Sequence, residues 1–313
     1  PLSTKIATVP FKIECANNGA KMRINIMQDF TGKGELHLCQ PKNKTEPESI
    51  STFPNIQSHT SCTDGTRIIV FGGWDAAIEA PCNIVRIFEF DEHISNRYLY
   101  KVQPCSGDIP PPNQGHSCCI VGRQMFMFGG DSEEECNDLY TLDLDHWRWS
   151  KLSSLSNTTE NQDRPEIDVL YSTLVQFDSE SIIVIGGMKC GSMSNFSGDP
   201  NGFKASDDSF TNIVSTNMHV YSLKNKSWER MNNCGSLPPK GWGFHAHNIA
   251  TGKVLLYCGQ YFFGIHTKKS PYLLTTIREG SSDTGDYKWS RIEENMNGIP
   301  PPKSLYMGTT WIP

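Results

Sequence analysis

The sequence predicts an all-β protein built from repeated four-stranded units. Two observations support this fold class. An apolar strand that ends in two glycines recurs along the chain, and each glycine pair is followed by a second pair of strands. The 313 residues also contain no apolar segment near the roughly 18 residues that a membrane-spanning helix needs. One large domain accommodates this length, because all-β domains often exceed the usual domain size.

The glycine-ended strands define the repeat. The first two steps along the chain are 57 residues each and the third is 72 residues. Before each glycine pair, an apolar run such as residues 67–70 follows a turn such as Asp64-Gly65, which predicts a β-hairpin. The four strand endings are Phe71-Gly72-Gly73, Phe128-Gly129-Gly130, Ile185-Gly186-Gly187 and the weaker copy Tyr257-Cys258-Gly259.

A second strand pair follows each hairpin and carries an aromatic residue on its last strand. Trp149, Trp228 and Trp289 hold this place in three units, and the first unit has tyrosines at 98 and 100 instead. Alternating apolar and polar residues are typical of half-buried strands, so each unit predicts one small twisted antiparallel sheet. A sheet with two apolar faces must pack against neighbouring copies.

These units resemble kelch repeats, in which a glycine pair is followed by a strand, a turn and a tryptophan. The resemblance covers about residues 54 to 303 in four copies, with Cys258 replacing a glycine in the fourth. It implies a kelch-type β-propeller of four-stranded blades, in which strand one of each blade lines a central channel.

The number of blades follows from the start of each inner strand. We assign equivalent starts to His59, His116, Tyr171, His245 and Tyr306. The last start has no partner strands after it, so strands within residues 1–53 complete its sheet and both termini close the ring. This count gives five blades, but the segment from residue 6 to 15 is left over and keeps six blades open. The predicted single domain spans 1–313, and the chain could belong to a longer protein. The predicted blades are 1–53 with 304–313, 54–112, 113–165, 166–239 and 240–303.

Charge and cysteine usage restrict the partners and the compartment. The net charge of −6 and the pI near 5.9 argue against nucleic acid or an anionic membrane as the main partner. Eleven cysteines are an odd number, and none forms a Cys-x-x-Cys motif. Several lie in strand-like apolar runs, where a free cysteine behaves as a small apolar residue. We therefore expect a reducing compartment, the cytoplasm or the nucleus.

Candidate binding residues lie on the loops that follow strands two and four of each unit. In an up-and-down sheet these loops emerge at the same end, and here they are the long ones. Several aromatic residues recur there and could contact a partner, or alternatively plug the loops against the blades. An acidic loop favours a basic peptide or protein, or is simply a solvated turn. The predicted site comprises Trp74, Asp75, Asp131, Glu133, Glu134, Arg164, Trp242, His245, Tyr261, Phe262 and Phe263.

The predicted function is a non-enzymatic scaffold that binds a protein or peptide on this loop-rich face, with no cofactor or metal. The sequence has no Gly-x-Ser-x-Gly, phosphate-loop or His-Glu-x-x-His motif. His245 and His247 share one face of a strand, but no third metal ligand follows nearby.

Two alternatives stay open. The resemblance implies that the chain could be the regulatory or substrate-docking domain of a larger enzyme, such as a phosphatase, a methyltransferase or a ubiquitin-ligase adaptor. A channel-mouth enzyme such as a sugar isomerase would instead need Asp131, Arg164 and His245 to converge.

Overall fold

The fold is described from a computed structural model, and within its described residues all regular elements are β-strands. This confirms the predicted all-β class. In the described part of the chain there is no helix with the length and apolar character needed to cross a membrane. The described residues are 11–14, 23–26, 34–37, 55–90, 98–132, 138–152, 169–189, 218–239, 241–257, 260–261, 271–277 and 286–292.

Four antiparallel sheets, blades 1 to 4, follow one another along the chain. In each blade four strands pair in chain order, so strand one lies at one edge of this set and strand four at the other. Blade 1 comprises Thr60–Thr63, Arg67–Phe71, Val85–Phe90 and Tyr98–Gln103, and blade 2 comprises Ser117–Val121, Gln124–Phe128, Leu139–Asp143 and Arg148–Leu152. Blade 3 comprises Thr173–Gln176, Ser181–Ile185, Met218–Ser222 and Ser227–Arg230, and blade 4 comprises His245–Ala250, Lys253–Tyr257, Tyr272–Thr276 and Tyr287–Arg291.

Two blades gain a fifth strand that the sequence pattern did not predict. Ser106–Gly107 pairs in parallel with strand four of blade 2, and Asn233–Gly235 pairs in the same way with strand four of blade 4. The sequence assigns both segments to the preceding unit, yet they hydrogen-bond to the blade that the chain is about to enter. Parallel pairing with a distant strand leaves no local periodicity, so it could not be predicted from the sequence.

A separate three-stranded antiparallel sheet lies near the N-terminus. Its strands are Phe11–Glu14, Arg23–Ile26 and Gly34–His37, paired in that order. The sequence analysis left residues 6–15 over, but the structure uses Phe11–Glu14 as a strand of this sheet. The predicted start at Tyr306, and residues 38–53 of the segment predicted to complete its sheet, lie outside the described residues. Closure of the ring by both termini, and the choice between five and six blades, therefore stay predictions.

Most of the core among the described residues lies in three layers, each between the faces of two successive blades, and two smaller clusters lie apart from them. Period-two alternation produces this arrangement, since Met125 and Met127 of blade 2 pack toward blade 1 while Phe126 and Phe128 pack toward blade 3. A third layer joins blades 3 and 4. Trp149 and Trp289 are completely buried in these layers, which agrees with the predicted packing role of the strand-four tryptophan.

Candidate functional site

The candidate site is the end of the blades where the long loops meet. At this end, the segment that enters strand one pairs with the residues just after strand two. Ile56–Gln57, Trp74–Asp75 and Ala80–Pro81 form one such small sheet. Val169–Leu170 pairs with Met188–Lys189, and Gly241–Trp242 pairs with Gln260–Tyr261. The two predicted loop classes therefore lie side by side, and main-chain hydrogen bonds hold them.

A chain of backbone hydrogen bonds links all four blades at this end. The amide nitrogen of Gly115 donates to the carbonyl of Ser58 at 2.8 Å, that of Tyr171 to Gly115 at 2.7 Å, and that of Gly243 to Tyr171 at 2.9 Å. All four residues have φ between 53° and 65°, a region that favours glycine. We call these four residues the axial chain.

The axial chain corrects the predicted alignment of the blades. The sequence aligned His59, His116, Tyr171 and His245, whereas the structure aligns Ser58, Gly115, Tyr171 and Gly243. The residues equivalent to His59 and His116 are therefore Ser172 and Phe244. The predicted alignment placed blade 3 one residue too early, at Tyr171, and blade 4 one residue too late, at His245. The alignment was wrong because it relied on the turn-rich stretch before each residue and the small or apolar residues after it, while the structural repeat is a backbone conformation.

Tyr171 is a residue of this end that the predicted site did not include. Its hydroxyl lies 3.3 Å from Ser58 Oγ, so the side chain connects blade 3 to blade 1 across blade 2. It lies over Gly115, where a Cβ would be 3.1 Å from Tyr171 Cε1. The half-buried ring remains partly accessible to solvent. The sequence signal was the glycine at 115, since a Cβ there would lie 2.7 Å from Leu170 Cδ2 as well as close to the tyrosine ring.

Trp74 and Asp75 lie together in the small sheet of blade 1 but have different environments. Trp74 is half-buried and pairs with Gln57 and Pro81. Asp75 is buried, and its Oδ1 accepts a hydrogen bond from the Ala77 amide at 2.9 Å. Its Oδ2 lies 3.8 Å from Nη2 of the buried Arg86. Asp75 therefore braces the loop that carries Trp74, because its carboxylate points into the protein.

Asp131 opens the predicted acidic loop of blade 2. Its backbone exchanges two hydrogen bonds with Gln114, at 2.8 and 3.2 Å, and its Oδ2 accepts another from Gln114 Nε2 at 3.4 Å. Half-buried Asp131 is thus held at the loop-rich end of blade 2. Glu133 and Glu134 lie outside the described residues.

Trp242 packs its loop against the blades, which is the alternative role that the sequence analysis allowed for the aromatic residues of these loops. It is buried in a small cluster with Leu170 and Met188, so only a small part of its surface could meet a partner. Leu170 and Trp242 occupy equivalent places in the two small sheets of blades 3 and 4. The backbone of Tyr261 pairs with Gly241. Arg164, Phe262 and Phe263 lie outside the described residues.

The histidines near this end are held neutral. Burial lowers the pKa of His116 from its usual 6.5 to about 3, and the neighbouring His59 adds to the shift. Burial also lowers the pKa of His245 to about 4, with His247 contributing. His247 Nε2 lies 3.1 Å from the hydroxyl of Tyr257. Among the described residues, no three histidine, cysteine or acidic side chains gather in a way that could hold a metal ion.

Comparison with known proteins identifies the family. Residues 58–311 match the family model described as the KLHDC2/KLHL20/DRC7 Kelch-repeats domain. A Rho GTPase-activating protein of Dictyostelium discoideum is 37% identical over 100 residues, which are 31% of this chain and 6% of that protein. An N-(sulfonatooxy)prop-2-enimidothioate sulfolyase of Thlaspi arvense is 24% identical over 246 residues, 75% of this chain and 62% of that protein.

Dynein regulatory complex subunit 7 of Chlamydomonas reinhardtii is 28% identical over 128 residues, 40% of this chain and 11% of that protein. This chain thus spans between 6% and 62% of the lengths of these three relatives. Domains of the kelch type are generally protein-interaction domains without enzymatic activity, although one relative is named as an enzyme. Because the matched region covers most of its residues, the chain belongs to the kelch-repeat family and has the all-β fold of a kelch β-propeller.

Proposed function

We propose that this chain is a non-catalytic scaffold that binds a protein or peptide at its loop-rich end. The observation that carries the proposal is the axial chain together with the small sheets around it. Main-chain hydrogen bonds join the loops of four blades into a platform. The platform holds side chains such as Trp74, Asp131 and Tyr171 in place without depending on their own contacts. Partly exposed aromatic residues on a rigid platform are typical energetic centres of protein interfaces.

The charge of the chain supports a basic partner. Asp131 is followed by Glu133, Glu134 and Glu135, and the net charge is −6. Complementary charge accelerates encounter and excludes partners of the wrong sign. We propose that the protein meets this partner in the cytoplasm or the nucleus. The eleven cysteines are an odd number and form no Cys-x-x-Cys motif, which favours a reducing compartment.

A comparative pull-down tests the proposal. Trp74→Ala removes a half-buried aromatic side chain at the loop-rich end, and Asp145→Ala changes an exposed residue at the opposite end of blade 2. We expect Trp74→Ala to weaken capture of the partner by about tenfold or more, as for an interface hot spot. Asp145→Ala should capture it like the unchanged protein. Retention of every partner by Trp74→Ala and by Tyr171→Ala would contradict the proposed surface.

A docking or regulatory role inside a larger enzyme is the second candidate. It is favoured by how little of the relatives this chain spans: 6% of the Rho GTPase-activating protein and 22% of the host cell factor homolog hcf-1 of Caenorhabditis elegans, which is 26% identical over 195 residues. The full reading frame tests this candidate. A catalytic domain beside the kelch repeats would support it, and a frame that encodes kelch repeats alone would contradict it.

A further inference from the structure

The outer edges of the blades differ in what covers them. Strand four of blade 2 and strand four of blade 4 are each covered by a short parallel strand, Ser106–Gly107 and Asn233–Gly235. Strand four of blade 3, Ser227–Arg230, is instead the last strand of its sheet among the described residues. An uncovered strand presents a row of backbone groups to which a further extended segment can add.

The covered edge of blade 2 shows how a segment is held there. The amide nitrogen of Ser106 donates to the Trp147 carbonyl and that of Asp108 to the Trp149 carbonyl, both at 3.0 Å. The Asp108 side chain adds a further contact, because its Oδ2 accepts a hydrogen bond from the Lys151 amide at 3.3 Å. Alternate residues of strand four, at 147, 149 and 151, thus turn their main chains outward to the added segment.

Blade 4 repeats this arrangement, with a glycine at the closest approach. The Ser236 amide donates to the Trp289 carbonyl at 2.8 Å. Gly107 and Gly235 have φ of 83° and 81°, and a Cβ on either would clash with the carbonyl oxygen of the strand-four tryptophan. A segment that covers this edge therefore needs glycine at this position. Both segments share the sequence Gly-x-(Ile or Leu)-Pro-Pro, at residues 107–111 and 235–239.

Strand four of blade 3 turns the equivalent groups outward. The Met231 amide donates inward to the Met218 carbonyl at 2.9 Å, and alternation along an antiparallel strand then turns the main chains of Arg230 and Trp228 away from the sheet. Trp228 and Trp149 occupy the same place, since each pairs with the fourth residue of strand three in its blade. Within the described part of the chain, the Trp228 carbonyl and the Arg230 amide have no hydrogen-bond partner.

The connection that enters blade 3 lacks the residue that this edge requires. The connections into blades 2 and 4 supply Gly107 and Gly235, whereas residues 153–172, which lead into blade 3, contain no glycine. Residues 224–230 carry three basic side chains and one acidic side chain, all of them exposed. An acidic residue directly after the glycine, as at Asp108, complements this charge. The edge of blade 3 therefore suits a segment that this connection does not provide.

We propose that the outer edge of blade 3 binds an extended segment of another protein, which adds a parallel strand and contains the sequence Gly-Asp-(Ile or Leu)-Pro. The glycine lies against the Trp228 carbonyl, and the amide of the aspartate donates to this carbonyl. The aspartate side chain accepts a hydrogen bond from the Arg230 amide. Strand four is at the opposite edge of the blade from strand one, so this site is separate from the axial chain and the inference does not rest on the proposed function.

Fluorescence anisotropy with labelled synthetic peptides tests the site. The first probe copies residues 103–112 with serine in place of Cys105, and a second probe has alanine in place of its glycine. We expect the first probe to bind the unchanged protein, and the alanine probe to bind about tenfold more weakly or worse, because alanine is strained at this φ and its Cβ meets the tryptophan carbonyl. A third probe, with lysine in place of the aspartate, should also bind more weakly.

Two substitutions at one position separate backbone pairing from side-chain contact. Arg230→Pro removes the outward amide, and an edge strand tolerates proline where its amide faces solvent. Arg230→Ala keeps the amide and removes only the charge. We expect Arg230→Pro to weaken binding of the first probe by about tenfold or more, and Arg230→Ala by about threefold or less. Melting temperatures check that both variants fold. Hydrogen exchange of the Arg230 amide in the unchanged protein, which the first probe should slow, provides a measurement that needs no variant.

Each other outcome counts against the inference. Equal losses with Arg230→Pro and Arg230→Ala would show recognition of charge rather than of a strand edge. Equal binding of the glycine and alanine probes, or no binding of either, would show that no segment pairs here as in blades 2 and 4. An Arg230 amide that exchanges slowly without a probe would mean that the chain itself covers the edge. Self-association that Arg230→Pro abolishes would assign the edge to a second copy. The pull-down with Trp74→Ala decides the proposed function independently of all these results.

Discussion

The two ends of the blades are held together by different means. At the loop-rich end the connections are backbone hydrogen bonds, as in the axial chain of Ser58, Gly115, Tyr171 and Gly243. At the opposite end, the hairpin turns of blades 1 and 2 are joined by charged side chains. The framework of the loop-rich end therefore depends mainly on the backbone conformation of a few residues, several of them glycines, whereas the turn end depends on the identity of charged side chains.

The turn end is organised around Asp64. Its carboxylate accepts hydrogen bonds from Arg67 Nε at 2.9 Å and Nη2 at 2.6 Å, and from Arg123 Nη1 at 3.1 Å. Arg123 Nη2 also forms an ion pair with Asp145 Oδ1 at 2.7 Å, and the Arg67 guanidinium lies over the Trp147 ring. Burial alone would raise the pKa of Asp64, but the hydrogen bonds from Arg67 and Thr66 outweigh it and lower the pKa well below its usual value.

The largest effect should come from a backbone substitution at the loop-rich end. Gly72 has a φ of 62°, and a Cβ there would lie 2.7 Å from His116 Cε1 and 2.8 Å from the Asn113 carbonyl oxygen. We expect Gly72→Ala to lower the free energy of unfolding by about 3–5 kcal/mol, since left-handed strain and a clash combine.

Gly122 at the turn end is the matched control for Gly72. Its φ of 59° is nearly the same, but a Cβ there meets nothing within 4 Å. Gly122→Ala should cost only about 1–2 kcal/mol, the strain without the clash. Chemical denaturation measures both variants, and equal losses would show that the close approach at Gly72 carries no energy.

At the turn end, a side-chain deletion should be the costly change. Asp64→Ala removes a carboxylate that is only 1% exposed and leaves Arg67 and Arg123 without a shared partner. We expect a loss of about 2–3 kcal/mol in the free energy of unfolding. Asp145→Ala, which removes an exposed partner of Arg123, should change stability by about 0.5 kcal/mol or less. A small loss for Asp64→Ala would contradict the central role of this carboxylate.

Acidification should weaken the loop-rich end before the turn end. The unfolded chain binds a proton on His116 below its usual pKa of 6.5, whereas the folded protein resists protonation until about pH 3. The neutral form therefore stabilises the fold above pH 6.5, and this stabilisation is lost progressively as the pH falls toward 3. The lowered pKa of Asp64 acts in the same direction, but only below the usual aspartate value of 3.8.

His116→Phe tests the pH prediction with a residue that the protein already uses. Phe244 holds the equivalent place in blade 4 and packs beside Gly186 as His116 packs beside Gly72. Between pH 6.5 and 4.5 the variant should lose about 2 kcal/mol less stability than the unchanged protein. Melting temperatures across this range measure the difference. Parallel pH profiles for the two proteins would exclude His116 as a source of the acid sensitivity.

At the loop-rich end, the smallest effect should come from the side-chain contact between Tyr171 and Ser58 that supplements the axial chain. Tyr171→Phe removes the hydroxyl that lies 3.3 Å from Ser58 Oγ, while the backbone hydrogen bonds of both residues remain. We expect a loss of about 1 kcal/mol or less. A double-mutant cycle with Ser58→Ala measures the coupling directly. A coupling well above this value would mean that side chains, too, carry the framework of the loop-rich end.

Much of the blade architecture could be predicted because it is periodic. Alternation placed Met125 and Phe126 on opposite faces, and the glycine pairs marked the ends of the second strands. The candidate site was less predictable, because exposure depends on what covers a side chain. Trp74 and Trp242 look alike in the sequence, yet the first is half-buried and the second lies in a cluster with Leu170 and Met188.

The repeat, the strand order within each blade and the location of the long loops could be predicted from the sequence, because these features depend on local alternation and on turn residues. The equivalence of residues in successive blades, and the connections that add a strand to the next blade, had to be read from the three-dimensional arrangement. These features arise from hydrogen bonds and packing between residues that are some 40 to 70 positions apart, and one strand carries no record of the strand that will lie beside it.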